Sequence, residues 1–359
     1  MDEIGNKITE LFNGQALLYK VMYLWIPSLS LKCAIDLEIP DIIHKHGQPL
    51  PLSQLVSALN IPPSKATFVK GLMRLLALNG IFTIIKSSNN EEEESDEAYD
   101  LTSASQLLVN DTDHCLSPMV GLAVKPPMIE LYHHLKKWAR REENTLDEAI
   151  FGVRPYDLMK QKPEDFAFMQ EAMASDSRFM KLALTKNLES VFDGLGSIVD
   201  VGGGDGTTAK TICEAFPKLK CIVLDLPEVV SNLSGTTNLS FVGGNMLNFI
   251  PHADAVLIKW VLLDWGDDDI IKILKNAKDA ISSKGNEGKV IVIDMVLDEK
   301  HDQHEWLETK LLLNLILTAQ LNSKARSEKE WKQLFLRAGF KDYKIFPIFG
   351  LRSLIMLYP

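Results

Sequence analysis

The sequence predicts an α/β protein in which a helical, winged-helix-like N-terminal domain precedes a doubly wound, Rossmann-like sheet. Three observations predict it. Apolar residues recur at helical spacing through the first half of the chain. Residues 52–85 read as helix, turn, helix and short strand. After Gly194, short apolar runs alternate with helical stretches, and a triple glycine closes the first run. Such alternation packs helices on both faces of a mainly parallel sheet, with right-handed crossovers. On this reading the chain divides into residues 1–105 (helical, winged-helix-like), 106–190 (a helical linker that shapes a pocket) and 191–359 (the Rossmann-like domain).

The elements follow in order. Leu11-Phe12, Ala16-Leu17-Leu18 and Val21-Met22 mark one face of an N-terminal helix. Residues 25–35 are apolar nearly all round and need cover on every side. A second subunit is the expected cover. Ser53 is placed to cap a short helix over 54–59, and Ile61-Pro62-Pro63-Ser64 turns the chain into a second helix. That helix runs to about Leu78, and Asn79-Gly80 ends it with a residue suited to positive φ. Residues 81–85 form a β run, and residues 87–97 (SSNNEEEESDE) read as a solvated hairpin tip or disordered loop. Helical patterns return over 101–195, including a methionine-rich amphipathic stretch at 169–184. Methionines usually pack in cores, but they also line adaptable apolar pockets. Strands are expected at 197–201, 221–224, 239–242, 255–258 and 290–293. The runs 343–347 and 353–357, joined through Phe349-Gly350, form a hairpin that adds an antiparallel edge.

Composition narrows the function. A chain that is 46% hydrophobic and 24% charged is ordinary for a globular protein, and 359 residues bury a large core. The net charge of -10 argues against a nucleic-acid reader, which needs a basic face. Lys65, Lys70 and Arg74 on the second winged-helix helix do not change that balance. The four cysteines (Cys33, Cys115, Cys213, Cys221) lie far apart with no CxxC, so neither a zinc site nor a disulfide framework follows. No run of about 18 apolar residues is present to span a membrane. Met1-Asp2-Glu3 opens without the basic and apolar regions of a secretory signal. The expectation is a reduced, cytoplasmic, metal-free enzyme acting on a small molecule.

The sharpest signal is Val199-Asp200-Val201-Gly202-Gly203-Gly204-Asp205-Gly206, between an apolar strand and a helix starting at Thr207. Glycines are required where a backbone turns tightly against a ligand. An open α/β sheet binds its ligand at this carboxyl end. A dinucleotide fingerprint is GxGxxG, but its third glycine would fall at Thr207, and the observed spacing is GxGxG. Asp225 ends the next strand and can accept both hydroxyls of a ribose, or can simply be a turn residue before Leu226-Pro227.

These segments, with Gly243-Gly244-Asn245-Met246 and Lys259-Trp260-Val261-Leu262-Leu263-Asp264-Trp265, closely resemble the plant S-adenosylmethionine-dependent O-methyltransferases of the isoflavone, alkaloid and caffeic-acid branch. The resemblance extends to the apolar N-terminal arm, to residues 69–82, to Ala172-Met173-Ala174-Ser175-Asp176-Ser177 and to a Ser-Leu-Ile-x-x-Tyr-Pro ending. It implies an N-terminal dimerisation domain and a two-fold homodimer. It also implies that Gly202, Gly203 and Gly204 pack against the methionine part of S-adenosylmethionine. Asp225 would hold its ribose and Asn245 and Met246 its adenine. Lys259 would meet its carboxylate or a nearby backbone group. The family has Asp where this chain has Asn245, which keeps a carbonyl acceptor but loses the charge. Asp205 replaces the family's Thr. It either disfavours a ligand carboxylate or faces solvent.

The decisive departure is Leu263. The family places a His there as the general base for a phenol, flanked by two acids. One acid matches Asp294. The other falls at Ala325 in Ser323-Lys324-Ala325-Arg326. Positioned acid–base catalysis contributes ~10²–10⁴-fold, while alignment of the reactants can contribute ~7–11 kcal/mol. Methyl transfer therefore survives loss of the base if the nucleophile ionises by itself. Phenols near pKa ~10 do not ionise so at neutral pH, whereas an enol flanked by a carbonyl does. His301 and His304 are alternative bases, or exposed loop residues. Asp294 is either a base itself or a buried acid without its former partner. Asp264, next to Leu263, would point elsewhere on a helix, since helical neighbours do not share a face.

A methyltransferase acting on an acidic enol or similar hydroxyl of an alkaloid or phenolic is the leading reading. A non-methylating cyclase or pericyclase using the sulfonium charge, and an inactive partner subunit, remain open alternatives. The pocket is expected between the α/β domain and the helices of 101–185. Met119, Phe166, Met173, Trp260 and Leu263 are its candidate walls. Such walls suit a flat polycyclic substrate, with no metal, nucleic acid or membrane partner.

Overall fold

The computed structural model describes residues 3–85, 97–186, 189–283 and 288–359. The acidic stretch 87–96, expected as a hairpin tip, lies outside the described residues. The chain forms two compact units, residues 1–128 and 129–359.

In the first unit, helices Glu3–Met22 and Trp25–Asp36 are followed by helix Ile39–His46 and strand β1 (Leu50–Pro51). Helix Leu52–Ala58, a 3-10 turn Pro63–Lys65 and helix Ala66–Leu78 lead into β2 (Phe82–Ile85), which pairs antiparallel with β3 (Ala98–Leu101). The sheet order is β1-β3-β2. Ala34, Ile39, Ile43, Leu55, Val69 and Met73 pack against Phe82 and Tyr99 of this wing. Gly80 takes φ +76 at the helix end, as the Asn79-Gly80 pair predicts. Ser53 does not cap its helix. Pro51 is the N-cap in an extended conformation, and the Leu52 N–H bonds Glu97 O at 2.9 Å, so the helix begins before Ser53. On the first helix Leu11, Phe12, Leu17 and Leu18 are each more than half exposed in the single chain.

The second unit is built on a seven-stranded sheet: β4 (Ser197–Val201), β5 (Lys220–Asp225), β6 (Leu239–Gly243), β7 (Ala255–Lys259), β8 (Lys289–Asp294), β11 (Asp342–Phe349) and β12 (Arg352–Tyr358). Two short strands, β9 (Val296–Leu297) and β10 (Arg326–Ser327), pair with each other beside it. The order is β11-β12-β8-β7-β4-β5-β6, with β4 to β8 parallel and the β11–β12 hairpin antiparallel at one edge. Gly350 turns that hairpin at φ +63.

Alternation along the strands sends side chains to two cores. Val199, Val201, Val256 and Ile258 join Ile270, Leu274, Trp331 and Leu334 on one face. Ile198, Ala255 and Leu257 join Met180, Leu184, Ala209 and Ile212 on the other. Both faces are covered by helices, which is why the central strands read as unbroken apolar runs. The chain runs outward from β4 through β6, then returns to β7 on the other side of β4. That reversal at the carboxyl ends is where a ligand crevice opens.

Candidate active site

Five strand ends supply the site. Gly202 follows β4, Asp225 ends β5, Gly244-Asn245-Met246 follow β6, Lys259 ends β7 and Asp294 ends β8.

The glycine loop is shaped by what a side chain would strike. Gly202 adopts φ +67, and a Cβ there would lie 2.8 Å from Val261 Cγ2. A Cβ on Gly203 would lie 2.8 Å from the Asp200 carboxyl carbon. Only glycine satisfies both positions. The Gly204 N–H donates to Asp225 Oδ2 at 2.8 Å, and the Leu226 N–H to Oδ1 at 2.7 Å. Burial pushes the Asp225 carboxyl above the ordinary carboxylate range, and these two bonds oppose the rise. Asp205 turns away from the loop. Its two oxygens accept the Thr207 N–H and hydroxyl at 2.9 and 2.8 Å, fixing the first turn of helix Thr207–Ala215. Asn245 uses its carbonyl oxygen locally, accepting the Leu247 N–H at 2.9 Å. Asn245 is exposed and Met246 half-buried, with the Met246 carbonyl accepting from Asn276.

Beneath the loop sits Asp200, which the sequence reading passed over. Its Oδ2 is buried without a hydrogen-bond partner among the described residues. Burial pushes its carboxyl up to about 7, against the pull of the Lys259 charge. An acidic residue inside an otherwise apolar strand was the available signal.

The surroundings of Leu263 are hydrocarbon. Leu263 lies in a 3-10 turn (Leu262–Asp264), not on an α-helix, and is buried while Asp264 is exposed. Leu263 packs with Met295, Leu317 and Ala325, and Trp260 and Leu313 flank them. Asp294 is wholly buried, accepting the Leu263 N–H at 3.1 Å and the Met295 N–H at 2.7 Å. Burial pushes it up to about 7, while both N–H bonds and the charges of Arg326 and Arg352 oppose the rise. The carboxyl group is therefore held by main chain. Ser323 Oγ donates to the Leu263 carbonyl at 2.6 Å, and the Ala325 N–H donates to Asn314 Oδ1 at 2.7 Å. His301 is 79% exposed and bonds its own turn at Asp298, and His304 is also exposed.

One pairing was not legible in sequence. Arg352 donates to Asp176 Oδ1 at 2.7 Å and lies 4.0 Å from the centre of the Trp260 ring. Lys259 Nζ is 3.6 Å from Asp176 Oδ2, and all three charged side chains are at most 12% exposed. Burial pushes the Lys259 ammonium pKa down, and Asp176 opposes this. Trp260 is held at φ +56, a left-handed conformation that costs a bulky residue on the order of 1–3 kcal/mol. Asp176 lies on helix Pro163–Lys186, whose Gln170 side chain comes 3.8 Å from a Cβ built on Gly204. Phe166 and Met173 share that face at helical spacing from Gln170. Met173 is 37% exposed, and Phe166 is half-buried, edge-on to Tyr156. Met119 is half-buried in the first unit.

Residues 132–341 match the O-methyltransferase domain family, and residues 20–111 match the O-methyltransferase dimerisation domain family. The chain is a plant-type S-adenosylmethionine-dependent O-methyltransferase. An isoflavone 7-O-methyltransferase of Glycyrrhiza echinata is 51% identical over 355 residues, covering 99% of this chain and 98% of that one. Isoflavone-7-O-methyltransferase 6 of Medicago sativa is 52% identical with the same coverage. (+)-6a-Hydroxymaackiain 3-O-methyltransferase 1 of Pisum sativum is 46% identical, covering 99% and 98%. The fold also matches a solved calicheamicin-biosynthesis methyltransferase in its SAH-bound form, at TM-score 0.79 and 24% identity over 100% of this chain and 99% of that one. A human N-acetylserotonin methyltransferase in complex with SAM matches at TM-score 0.75 and 19% identity, covering 96% and 97%. Among the described residues, no helix of this methyltransferase is long and apolar enough to cross a membrane.

Proposed function

We propose that this methyltransferase methylates an acidic hydroxyl of a flat plant phenolic without a histidine base. The observation that carries the reading is Leu263, buried among Met295, Leu317 and Ala325 where a proton acceptor would be needed. Asp294 offers no substitute, because its carboxyl is wholly buried and held against the main chain of Leu263 and Met295, out of reach of a hydroxyl.

The glycine cradle fits S-adenosylmethionine. Gly202 and Gly203 leave the space that any Cβ would fill. Asp225, half-buried at the end of β5, keeps unused lone pairs for two ribose hydroxyls. Asn245 and Met246 would flank the adenine, and Lys259 would meet the methionine carboxylate. When bound, S-adenosylmethionine supplies an electrophilic methyl group on a sulfonium. The chain's own residues then have three tasks. Trp260, Phe166 and Met173 would hold a flat acceptor. The buried apolar cluster around Leu263 excludes water, which strengthens attraction between opposite charges there. Met295, Leu317 and Ala325, which pack against Leu263, cannot take a proton, so on this reading the acceptor arrives ionised.

A hydroxyl conjugated to a carbonyl meets that demand, because its anion spreads onto the carbonyl oxygen. The relatives named above are isoflavone and hydroxymaackiain methyltransferases by name, which favours a flavonoid-like acceptor over an alkaloid. A homodimer belongs to the same reading. Residues 20–111 match a dimerisation domain, and the first helix exposes Leu11, Phe12, Leu17 and Leu18. Incubation with methyl-labelled S-adenosylmethionine and a panel of carbonyl-conjugated and simple phenols should place label on oxygen of the former. A rearranged product without label, or no label in any hydroxyl, overturns the proposal.

A further inference from the structure

We propose that Arg352 is a positioning residue for methyl transfer, holding the Trp260 indole as a fixed wall beside Leu263 and tying it through Asp176 to Lys259. The inference rests on the function proposed above. Arg352 opens β12 directly after the hairpin bend, next to Ser353, which pairs with Asp294. An arginine at a strand end normally extends into water. This one turns inward, bonds Asp176 at 2.7 Å and covers the Trp260 face at 4.0 Å. Only a planar guanidinium can stack and donate in that way at once.

The geometry grips two consecutive residues. Asp176 offers one oxygen to Arg352 and the other to Lys259, and Trp260 follows Lys259 in the chain. Trp260 stands in a left-handed conformation that persists only where its surroundings over-determine it. Its restraints include its N–H bond to Ile293 O at 2.8 Å, the packing beside Leu263 and the Arg352 stack. Val261, the next residue, fills the space where a Gly202 side chain would fall. A shift of the indole therefore reaches first the cluster around Leu263, against which it packs. Charged groups converge here from each neighbouring element: Asp200 from β4, Asp294 from β8, Arg326 from β10 and Asp176 from helix Pro163–Lys186.

The test compares Arg352→Lys, Arg352→Gln, Trp260→Phe and the Arg352→Gln/Trp260→Phe double variant in the full chain. Arg352→Lys keeps the charge and loses the stack. Its kcat for the acceptor should fall by about tenfold or more, with S-adenosylhomocysteine binding by calorimetry changed by less than about threefold. The double variant should be no slower than the slower single variant, because the pair acts as a unit. Native kcat and KM in Arg352→Lys, or losses that multiply in the double variant, overturn the proposal. If Arg352→Gln does not fold, Arg352→Lys decides. If the native chain methylates no hydroxyl, the proposed function fails, and tryptophan emission decides the clamp. Arg352→Lys must then shift the emission of the native chain but not that of Trp260→Phe, and absence of that difference refutes it.

Discussion

The Leu263 N–H donates to Asp294 Oδ2 at 3.1 Å, so the carboxyl group ending β8 holds the Leu262–Asp264 turn by its main chain. The resemblance read from the sequence implies an imidazole at this turn. Here its side chain joins a hydrocarbon cluster.

Restoring that chemistry is the first test. Leu263→His with Ala325→Glu should add methylation of simple phenols, with a gain within the ~10²–10⁴-fold range of positioned acid–base catalysis. Turnover of the native acceptor should rise by less than about threefold, since that acceptor needs no base. Radiolabel transfer to both acceptors measures it.

Asp225→Ala removes the oxygens assigned to a ribose and the bonds to Gly204 and Leu226. Hydrogen bonds to charged groups are worth about 1.5–3 kcal/mol each. With two ribose hydroxyls losing their acceptor, the KM for S-adenosylmethionine should therefore rise about a hundredfold or more, with kcat at saturating donor changed far less. Calorimetric titration with S-adenosylhomocysteine gives the same comparison without turnover.

Asp200 predicts a pH dependence of stability. Its carboxyl is pushed from 3.8 up to about 7 by burial. Between those values the folded chain binds more protons than the unfolded chain, so stability falls as pH rises through that window. Asp200→Asn, which mimics the neutral acid, should flatten the fall. Thermal midpoints measured from pH 5 to 8 should show the variant losing less than the native chain on going to pH 8.

Much of this was legible from short-range pattern. The apolar runs marked the central strands because both sheet faces are covered, and the triple glycine marked the loop because Val261 and Asp200 leave no room for a Cβ. Asp225 announced itself at the end of the next strand. Arg352 and Asp176 did not, because they are 176 residues apart and nothing local marks either as half of a pair. Ser53 misled for a local reason: Pro51 was already extended and started the helix sooner. Leu263 was expected on an α-helix but lies in a 3-10 turn, with its N–H bonded to Asp294, a tight bend that apolar spacing does not announce.

A second buried pair tests the support of the site. Lys310 Nζ meets both Asp302 oxygens at 2.6 and 2.8 Å and the Val296 carbonyl at 2.8 Å. Removing one partner of a buried pair costs about 3–5 kcal/mol, whereas removing both leaves no lone charge. Asp302→Asn should therefore be less stable in urea than Lys310→Met/Asp302→Asn.

The most direct measurement is the pH–rate profile of kcat for a series of acceptors graded in hydroxyl acidity. Without an enzymic base, the rising limb of each profile should track the acceptor's own pKa and move with it along the series. A limb that stays at one pH for every acceptor, with simple phenols turned over at neutral pH as fast as acidic ones, would reveal a general base and contradict the role given to Leu263.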